Sequence, residues 1–344
     1  MAIHGHRDDP RNVPGPGANI HETAFFVKHD KLFFISPMPI NKSKNSLSSH
    51  RYAVIVVVGP TASGKSSLAV QLARKFNGEI ISADSRQVYR GLDIGTGKVT
   101  AKEMAGIPHH LLDVASPRRT FTAAQFKSRA ERAIRDIALR GKLPIIAGGT
   151  AFWIDALIYN LSLPEVKPDT RLRHLLEKKT PAELFTMLKR LDPRRAAHIE
   201  RKNPRRLIRA IEIARALGRV PKLKRQPAYD ALWIGIHQPY ETRSHRVDGR
   251  VSGMILQGLI AETKKLLRQG MSKKRVREFG FEYVAARDAI EKRIPITELA
   301  PRIIRDTTRY ARRQMRWWKR NSEIRWISDP RKAVQLARSF LKKN

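Results

Sequence analysis

Cysteine is absent from the 344 residues and acidic side chains are scarce: 31 Asp and Glu stand against 68 Lys and Arg, a formal net charge of +37. Without cysteine there is no disulfide framework, thiol nucleophile, iron–sulfur cluster or cysteine-based zinc finger, and a cytoplasmic setting is expected. Long hydrophobic runs are missing as well. The longest, Tyr52 to Val58, falls far short of the ~18–20 apolar residues that cross a bilayer, and the N-terminus lacks the basic start, apolar core and small-residue cleavage site of a secretory signal. What is present suits a globular protein: 41% of residues are hydrophobic and 29% charged. The length exceeds the ~100–200 residues of one ordinary domain, so a large α/β domain with an insertion, or two domains, is expected. Positive charge spread through the whole chain asks for a polyanionic partner, nucleic acid ahead of an anionic membrane surface.

The chain divides by composition. Residues 1–50 are rich in Pro, Gly, His, Asn and Ser and read as a poorly ordered N-terminal extension, its histidines His4, His6, His21 and His29 at no metal-binding spacing. Order begins with the β-branched run Ala53 to Val58, apolar at every position as a strand buried on both faces requires. Glu79 to Ser82, Leu143 to Ala147, Leu232 to Ile236 and, more weakly, Ile324 to Ile327 read as further strands, with helical patterns between them, notably Ala123 to Arg140. Strands alternating with helices predict a P-loop, doubly wound parallel sheet. From Leu163 to Arg225 the strand signal vanishes and short helices punctuated by prolines take over. The expected organisation is a catalytic core at 51–162 and 231–344, ending in C-terminal helices, with an all-helical insertion domain at 163–230.

Gly59-Pro60-Thr61-Ala62-Ser63-Gly64-Lys65-Ser66 fits G-x-x-x-x-G-K-[ST] between a buried strand and a helix. In that geometry backbone N–H groups and the helix N-terminus cradle phosphate, Lys65 reaches a terminal phosphate, and the Ser66 hydroxyl can hold Mg²⁺. Asp84, at the end of the second strand, should open on the same sheet edge. Three roles compete for it: general base, Mg²⁺ ligand, or helix cap with Ser85. A later strand of most phosphoryl transferases ends in a carboxylate, whereas Pro144 to Ala147 runs into Gly148-Gly149-Thr150. Basic segments complete the pattern. Arg201 to Arg209 opens a helix of the insertion, and Arg302, Arg305, Arg309, Arg312 and Arg316 recur at spacings of three and four along 301–320. Ile304, Thr308, Ala311, Met315 and Trp318 form a second stripe of the same period, so one helix face is expected in the core and another toward phosphates.

Together these residues closely resemble the bacterial tRNA dimethylallyltransferases, or tRNA isopentenyltransferases. Beyond the phosphate loop, the resemblance rests on Ala83-Asp84-Ser85-Arg86-Gln87-Val88-Tyr89 continuing to Asp93-Ile94-Gly95-Thr96-Gly97-Lys98. It continues through Ile107 to Asp113, Gly148-Gly149-Thr150, Pro204 to Glu212, and Thr308-Arg309-Tyr310-Ala311-Arg312-Arg313-Gln314. It covers nearly everything after Arg51. The resemblance implies transfer of a dimethylallyl group from dimethylallyl diphosphate to N6 of adenosine 37, beside the anticodon, with the phosphate loop (Gly59 to Ser66) and Arg250 on the diphosphate. It implies Asp84 as general base, Thr150 beside the reacting groups, Lys65 on the leaving group and Mg²⁺ at Ser66. By the same comparison Asp84, Ser85, Arg86, Gln87, Thr150, Arg173, Arg205, Arg206, Leu207, Ile208 and Arg209 meet the tRNA. The C-terminal helices, with Arg309, Arg312 and Arg313, are similar to those that grip the anticodon stem-loop; separately from the resemblance, monomeric action is the default expectation.

Some positions differ from the family pattern. Ala151-Phe152-Trp153 stand where Gly, any residue and Tyr are usual, Asp155 occupies a commonly basic position, and Phe279-Gly280-Phe281-Glu282-Tyr283 replaces Ile-Gly-Tyr-Lys-Glu. Three other readings compete. In a P-loop kinase Asp84 would deprotonate a hydroxyl and Arg205, Arg206 and Arg209 would form a lid. A prenyltransferase acting on free adenylate has little use for the arginine stripe, and a non-catalytic RNA-binding protein leaves Asp84 and the phosphate loop idle.

Overall fold

The computed structural model describes residues 51–343; the expected N-terminal extension lies outside the described residues. The β-branched run forms β1 (Tyr52–Val58), and the phosphate loop leads from it into α1 (Lys65–Lys75). β2 (Gly78–Ser82), the single-turn α2 (Ala101–Met104) and the two-residue β3 (His109–His110) follow. Next come α3 (Ala123–Leu139), which Thr122 and Gln125 start with a reciprocal capping box, β4 (Leu143–Ala147) and α4 (Ala151–Ile158).

Four helices occupy the proline-punctuated stretch: α5 (Thr170–Leu176), α6 (Pro181–Leu191), α7 (Pro193–Ala197) and α8 (Pro204–Leu217). Pro181, Pro193 and Pro204 each open a helix, where the missing N–H costs nothing. These helices carry a hydrophobic cluster of their own around Leu176, Leu184, Leu188 and Ile211. The chain then returns through β5 (Tyr229–Ile236) to α9 (Tyr240–Leu256), α10 (Leu259–Arg268), α11 (Lys273–Phe279), α12 (Phe281–Ile290) and α13 (Leu299–Trp318). It ends with β6 (Arg325–Ile327) and α14 (Pro330–Leu341).

The strands make one six-stranded sheet in the order β3-β2-β4-β1-β5-β6, with every pair parallel. Register aligns Ile81, Ile146, Val56 and Trp233 across four strands. That row belongs to the larger core, under α3, α4 and α9 to α13, whereas Ile80, Ile145, Ile55 and Ile234 face α1 and α14 on the other side. Two buried faces explain why these strands read as unbroken apolar runs. Glu79 is the exception in β2. It is buried, yet Lys142 (2.8 Å), His110 (2.7 Å) and Arg140 surround its carboxylate. The Arg140 hydrogen bonds, foremost, hold it ionised well below the usual carboxylate range against the opposing pull of burial.

α13 corrects one expectation. Its buried positions are Leu299, Ile303, Thr307, Ala311, Gln314 and Trp318, so the core stripe is rotated from Ile304, Thr308, Ala311, Met315 and Trp318; Ile304, Thr308 and Met315 lie at its edge, half-buried. The polar Gln314 is turned inward to partners on the phosphate loop, and this sets the rotation. Arg302 also leaves the expected phosphate face, because it pairs with Asp288 of α12 at 2.9 Å. Among the described residues no helix is long and apolar enough to cross a membrane.

Candidate functional site

β1, β4 and β2 are adjacent and parallel, so the turns that follow them open on one edge of the sheet. The first turn is the phosphate loop. Ser63 N–H closes onto the Pro60 carbonyl (3.2 Å), and Lys65 Nζ reaches back to that same carbonyl (3.4 Å). The second turn carries Asp84, whose Oδ1 accepts the backbone N–H groups of Arg86 (2.9 Å) and Gln87 (3.4 Å). Its other carboxylate oxygen has no hydrogen bond among the described residues. The third turn, Gly148-Gly149-Thr150, is tied to the second: Thr150 N–H donates to the Ala83 carbonyl (3.1 Å), and Thr150 Oγ1 accepts from Ser85 N–H (2.9 Å). Here a glycine is required by space. A Cβ on Gly148 would stand 2.2 Å from the Ala83 oxygen.

Lys65, Ser66, Asp84, Gln87, Arg250 and Gln314 line one open cleft. Gln87 Nε2 donates to the Gly97 carbonyl (3.0 Å), and Arg250 of α9 donates to the Thr96 carbonyl (3.2 Å). Gly97 has a φ of 55°, and a Cβ there would fall 2.0 Å from the Arg250 guanidinium, so this close seat for the arginine depends on glycine. Burial, and then the nearby Arg250 charge, lower the Lys65 pKa to about 8, while Asp84 pulls the other way. Desolvation also lowers His109 at the cleft wall.

Gln314, in the sequence only the last residue of a basic motif, is central in its placement. Its Oε1 accepts from Thr61 N–H (2.9 Å) and Thr61 Oγ1 (3.2 Å), and its Nε2 donates to the Gly149 carbonyl (3.0 Å). One buried side chain thus joins the first turn to the third. A polar residue in the apolar register of an amphipathic helix was the available signal. Gln314→Leu leaves the Thr61 N–H and Gly149 carbonyl unpaired, a loss expected at about 1–3 kcal/mol in urea unfolding. An unchanged midpoint would mean that water replaces the amide.

The remaining sequence candidates fall into separate places. Arg86 does not line the cleft: it pairs with Glu282 (2.9 Å) and lies over the rings of Phe281 (5.1 Å) and Tyr310 (5.3 Å). It therefore fastens the Asp84 turn to α12 and α13. The unusual Phe281 and Glu282 are its partners. On α8, Arg205 and Arg206 are exposed, but Leu207 and Ile208 are buried in the apolar cluster, where their side chains hold the helix. Arg173 (2.6 Å) and Arg209 (3.4 Å) converge on the buried Glu212. Asp155 accepts from Trp317 Nε1 (2.8 Å), which links α4 to α13. Arg309, Arg312 and Arg313 are exposed on α13. Arg246, not singled out in the sequence, donates to the Ser63 carbonyl at 3.4 Å. Among the described residues no three acidic or histidine side chains cluster to hold a metal by themselves.

The family model described as IPP transferase matches residues 87–321. A tRNA dimethylallyltransferase of Anoxybacillus flavithermus is 39% identical over 280 residues, covering 80% of this chain and 89% of that protein. One from Roseiflexus is 41% identical over 274 residues, covering 78% and 90%. Among solved structures, the tRNA isopentenylpyrophosphate transferase of Bacillus halodurans matches with a TM-score of 0.64 at 35% identity, covering 85% of this chain and 96% of that one. A eukaryotic dimethylallyltransferase acting on tRNA matches with a TM-score of 0.74 at 28% identity, covering 85% and 80%.

Proposed function

The chain belongs to the IPP transferase family, and on that premise we propose that it transfers a dimethylallyl group from dimethylallyl diphosphate to N6 of adenosine 37 in tRNA. The observation that carries the reading is one cleft lined by the phosphate-loop Lys65, Arg250 and a carboxylate, Asp84. No carboxylate follows β4, where the chain has Gly148-Gly149-Thr150. The relatives named above act on tRNA by name, and the net charge of +37 agrees with an RNA partner.

The chemistry asks for these groups. An exocyclic adenine amine is a weak nucleophile because its lone pair is delocalised into the ring, so a carboxylate that takes its proton during attack assists. As the new N–C bond forms and the C–O bond to diphosphate breaks, positive charge develops on the allylic carbon and negative charge on the departing oxygens. The loop N–H groups, Lys65 and Arg250 neutralise the latter in place. The proton passes to Asp84, whose second oxygen is open to accept it. The acceptor base must leave its stack to reach the cleft. Ser66 alone is a sparse donor set, which suits Mg²⁺ because that ion keeps several waters and takes substrate phosphates as ligands. When bound it would offset leaving-group charge.

Incubation with Mg²⁺, dimethylallyl diphosphate and unmodified tRNA, followed by nucleoside mass spectrometry, tests the assignment. N6-dimethylallyladenosine at position 37 is expected. Absence of product, with transfer of the γ-phosphate from ATP in a parallel reaction, would assign the protein to the kinases.

A further inference from the structure

Glu262 of α10 does not line the reaction cleft, yet both of its carboxylate oxygens bind one loop beside it. Its Oε2 accepts the backbone N–H groups of Asp93 and Ile94 (2.9 Å each), and its Oε1 accepts the Gly95 N–H (3.0 Å) and the Tyr283 hydroxyl (2.6 Å). Successive backbone N–H groups turned to one side form a concave seat for an anion. Here a carboxylate from a distant part of the chain fills that seat. The Tyr283 ring presses on the same loop, since a Cβ on Gly95 would stand 2.5 Å from its Cζ. Tyr283 stands where the family pattern has Glu, so this part of the clamp departs from that pattern.

The loop carries this hold into the cleft. Gly97 N–H donates to the Ile94 carbonyl and Lys98 N–H to the Asp93 carbonyl, both at 2.9 Å, so residues 93–98 form one hydrogen-bonded turn. The Thr96 carbonyl of that turn accepts from Arg250 Nη2 (3.2 Å), and the Gly97 carbonyl accepts from Gln87 Nε2 (3.0 Å). Gln87 is held a second time, by its N–H on the Asp84 carboxylate (3.4 Å). Arg250 forms no other hydrogen bond and no ion pair among the described residues, so its place depends on the turn. A guanidinium neutralises a departing diphosphate only from the right place, and a misplacement of ~1 Å caused by a remote change can cost ~10²-fold in rate.

We propose that Glu262 is a positioning residue for the transfer reaction: by fixing the 93–98 turn it sets where the Arg250 guanidinium stands toward the diphosphate of the donor. This rests on the proposed function and deepens it. The test uses the full chain with Glu262→Gln, Arg250→Gln and the double variant. Inorganic diphosphate in the presence of Mg²⁺ is the binding probe, read by calorimetry, and kcat/KM for dimethylallyl diphosphate is the kinetic one.

A glutamine keeps the shape of Glu262 but has an amide NH₂ in place of one acceptor oxygen, so at least one N–H of the turn loses its partner. Glu262→Gln should therefore lower diphosphate affinity and donor kcat/KM about tenfold, with tRNA affinity unchanged. Once the guanidinium is gone its seat no longer matters, so the double variant should match Arg250→Gln alone instead of multiplying the two losses. Gly95→Ala disturbs the same turn by crowding the Tyr283 ring and should show the same dependence on Arg250. Asp192→Ala is the control for a purely structural loss. Asp192 is likewise a buried carboxylate on backbone N–H groups, those of Arg195 and Val220 (2.8 Å each), but in the helical insertion. Its variant should melt earlier and keep the parent affinity for diphosphate.

Parent-like diphosphate affinity and donor kcat/KM in Glu262→Gln and Gly95→Ala overturn the proposal. Losses that multiply in the double variant also do, by showing that Glu262 acts through some group other than Arg250, and so does an equal loss in Asp192→Ala, by assigning the effect to stability. If the parent chain binds diphosphate with this coupling yet prenylates no tRNA, the functional reading fails and the seat of Arg250 stands, which is a different result. Cooperative thermal melts confirm that the variants are folded.

Discussion

Asp84→Ala is expected to lower the transfer rate by about 10²–10⁴-fold, the usual contribution of a positioned general base, while tRNA affinity changes little. The geometry also supplies a competing explanation for any loss. Oδ1 of Asp84 accepts two backbone N–H groups, so alanine removes a cap together with the base. Asp84→Asn separates them, because asparagine caps as well as aspartate but cannot take a proton from the amine. If Asp84 acts as the base, the asparagine variant is as slow as the alanine variant while its fold is intact. If the carboxylate only caps the turn, asparagine restores the rate. If it is a Mg²⁺ ligand, asparagine raises the metal concentration needed for half-maximal rate, and excess Mg²⁺ recovers activity. Single-turnover rates with prebound tRNA, measured over a range of Mg²⁺, tell the three apart.

What the sequence showed and what it hid have a common cause. β1, β4 and the Leu232 to Ile236 part of β5 are legible because strands buried on both faces read as apolar runs, β2 only through its Ile80-Ile81 pair, and the phosphate loop because its geometry demands glycine and lysine at fixed spacing. β3 is not, since two residues carry no period. The links between elements left no local trace: Gln314 and Thr61 are 253 residues apart, and Arg86 and Glu282 are 196 apart. A helical period locates an apolar stripe only while the inward residues are apolar. In α13 a buried Gln314 and Thr307 stand among them, so the apolar period places Ala311 and Trp318 correctly and Ile304, Thr308 and Met315 one residue off. Charge was informative in sum and misleading one residue at a time: Arg302, Arg173 and Arg209 all carry buried or half-buried carboxylate partners, whereas Arg312 and Arg316 of the same basic pattern do not.

Lys65→Ala should reduce kcat/KM for the diphosphate donor by about 10²–10³-fold, the cost of losing one preorganised stabiliser of leaving-group charge. The pH dependence of the parent chain identifies the group independently. Burial, followed by the Arg250 charge, brings Lys65 down to about 8 in the unliganded protein, so half of its charge is gone at that pH and the neutral amine dominates above it. Donor kcat/KM, which reports the free protein, should then fall on the alkaline side of about pH 8, approaching tenfold per pH unit. Bound diphosphate adds negative charge beside Lys65, favours the ammonium and moves the corresponding fall in kcat to higher pH. Lys65→Arg keeps a charge that does not titrate in this range and should remove the alkaline limb even though its rate is lower. Arg250→Gln removes the neighbouring cation that helps to depress Lys65 and should shift the limb upward. A limb that stays near pH 8 in Lys65→Arg would belong to a different group, and the phosphate-loop lysine would then be a binding contact whose protonation does not limit the reaction.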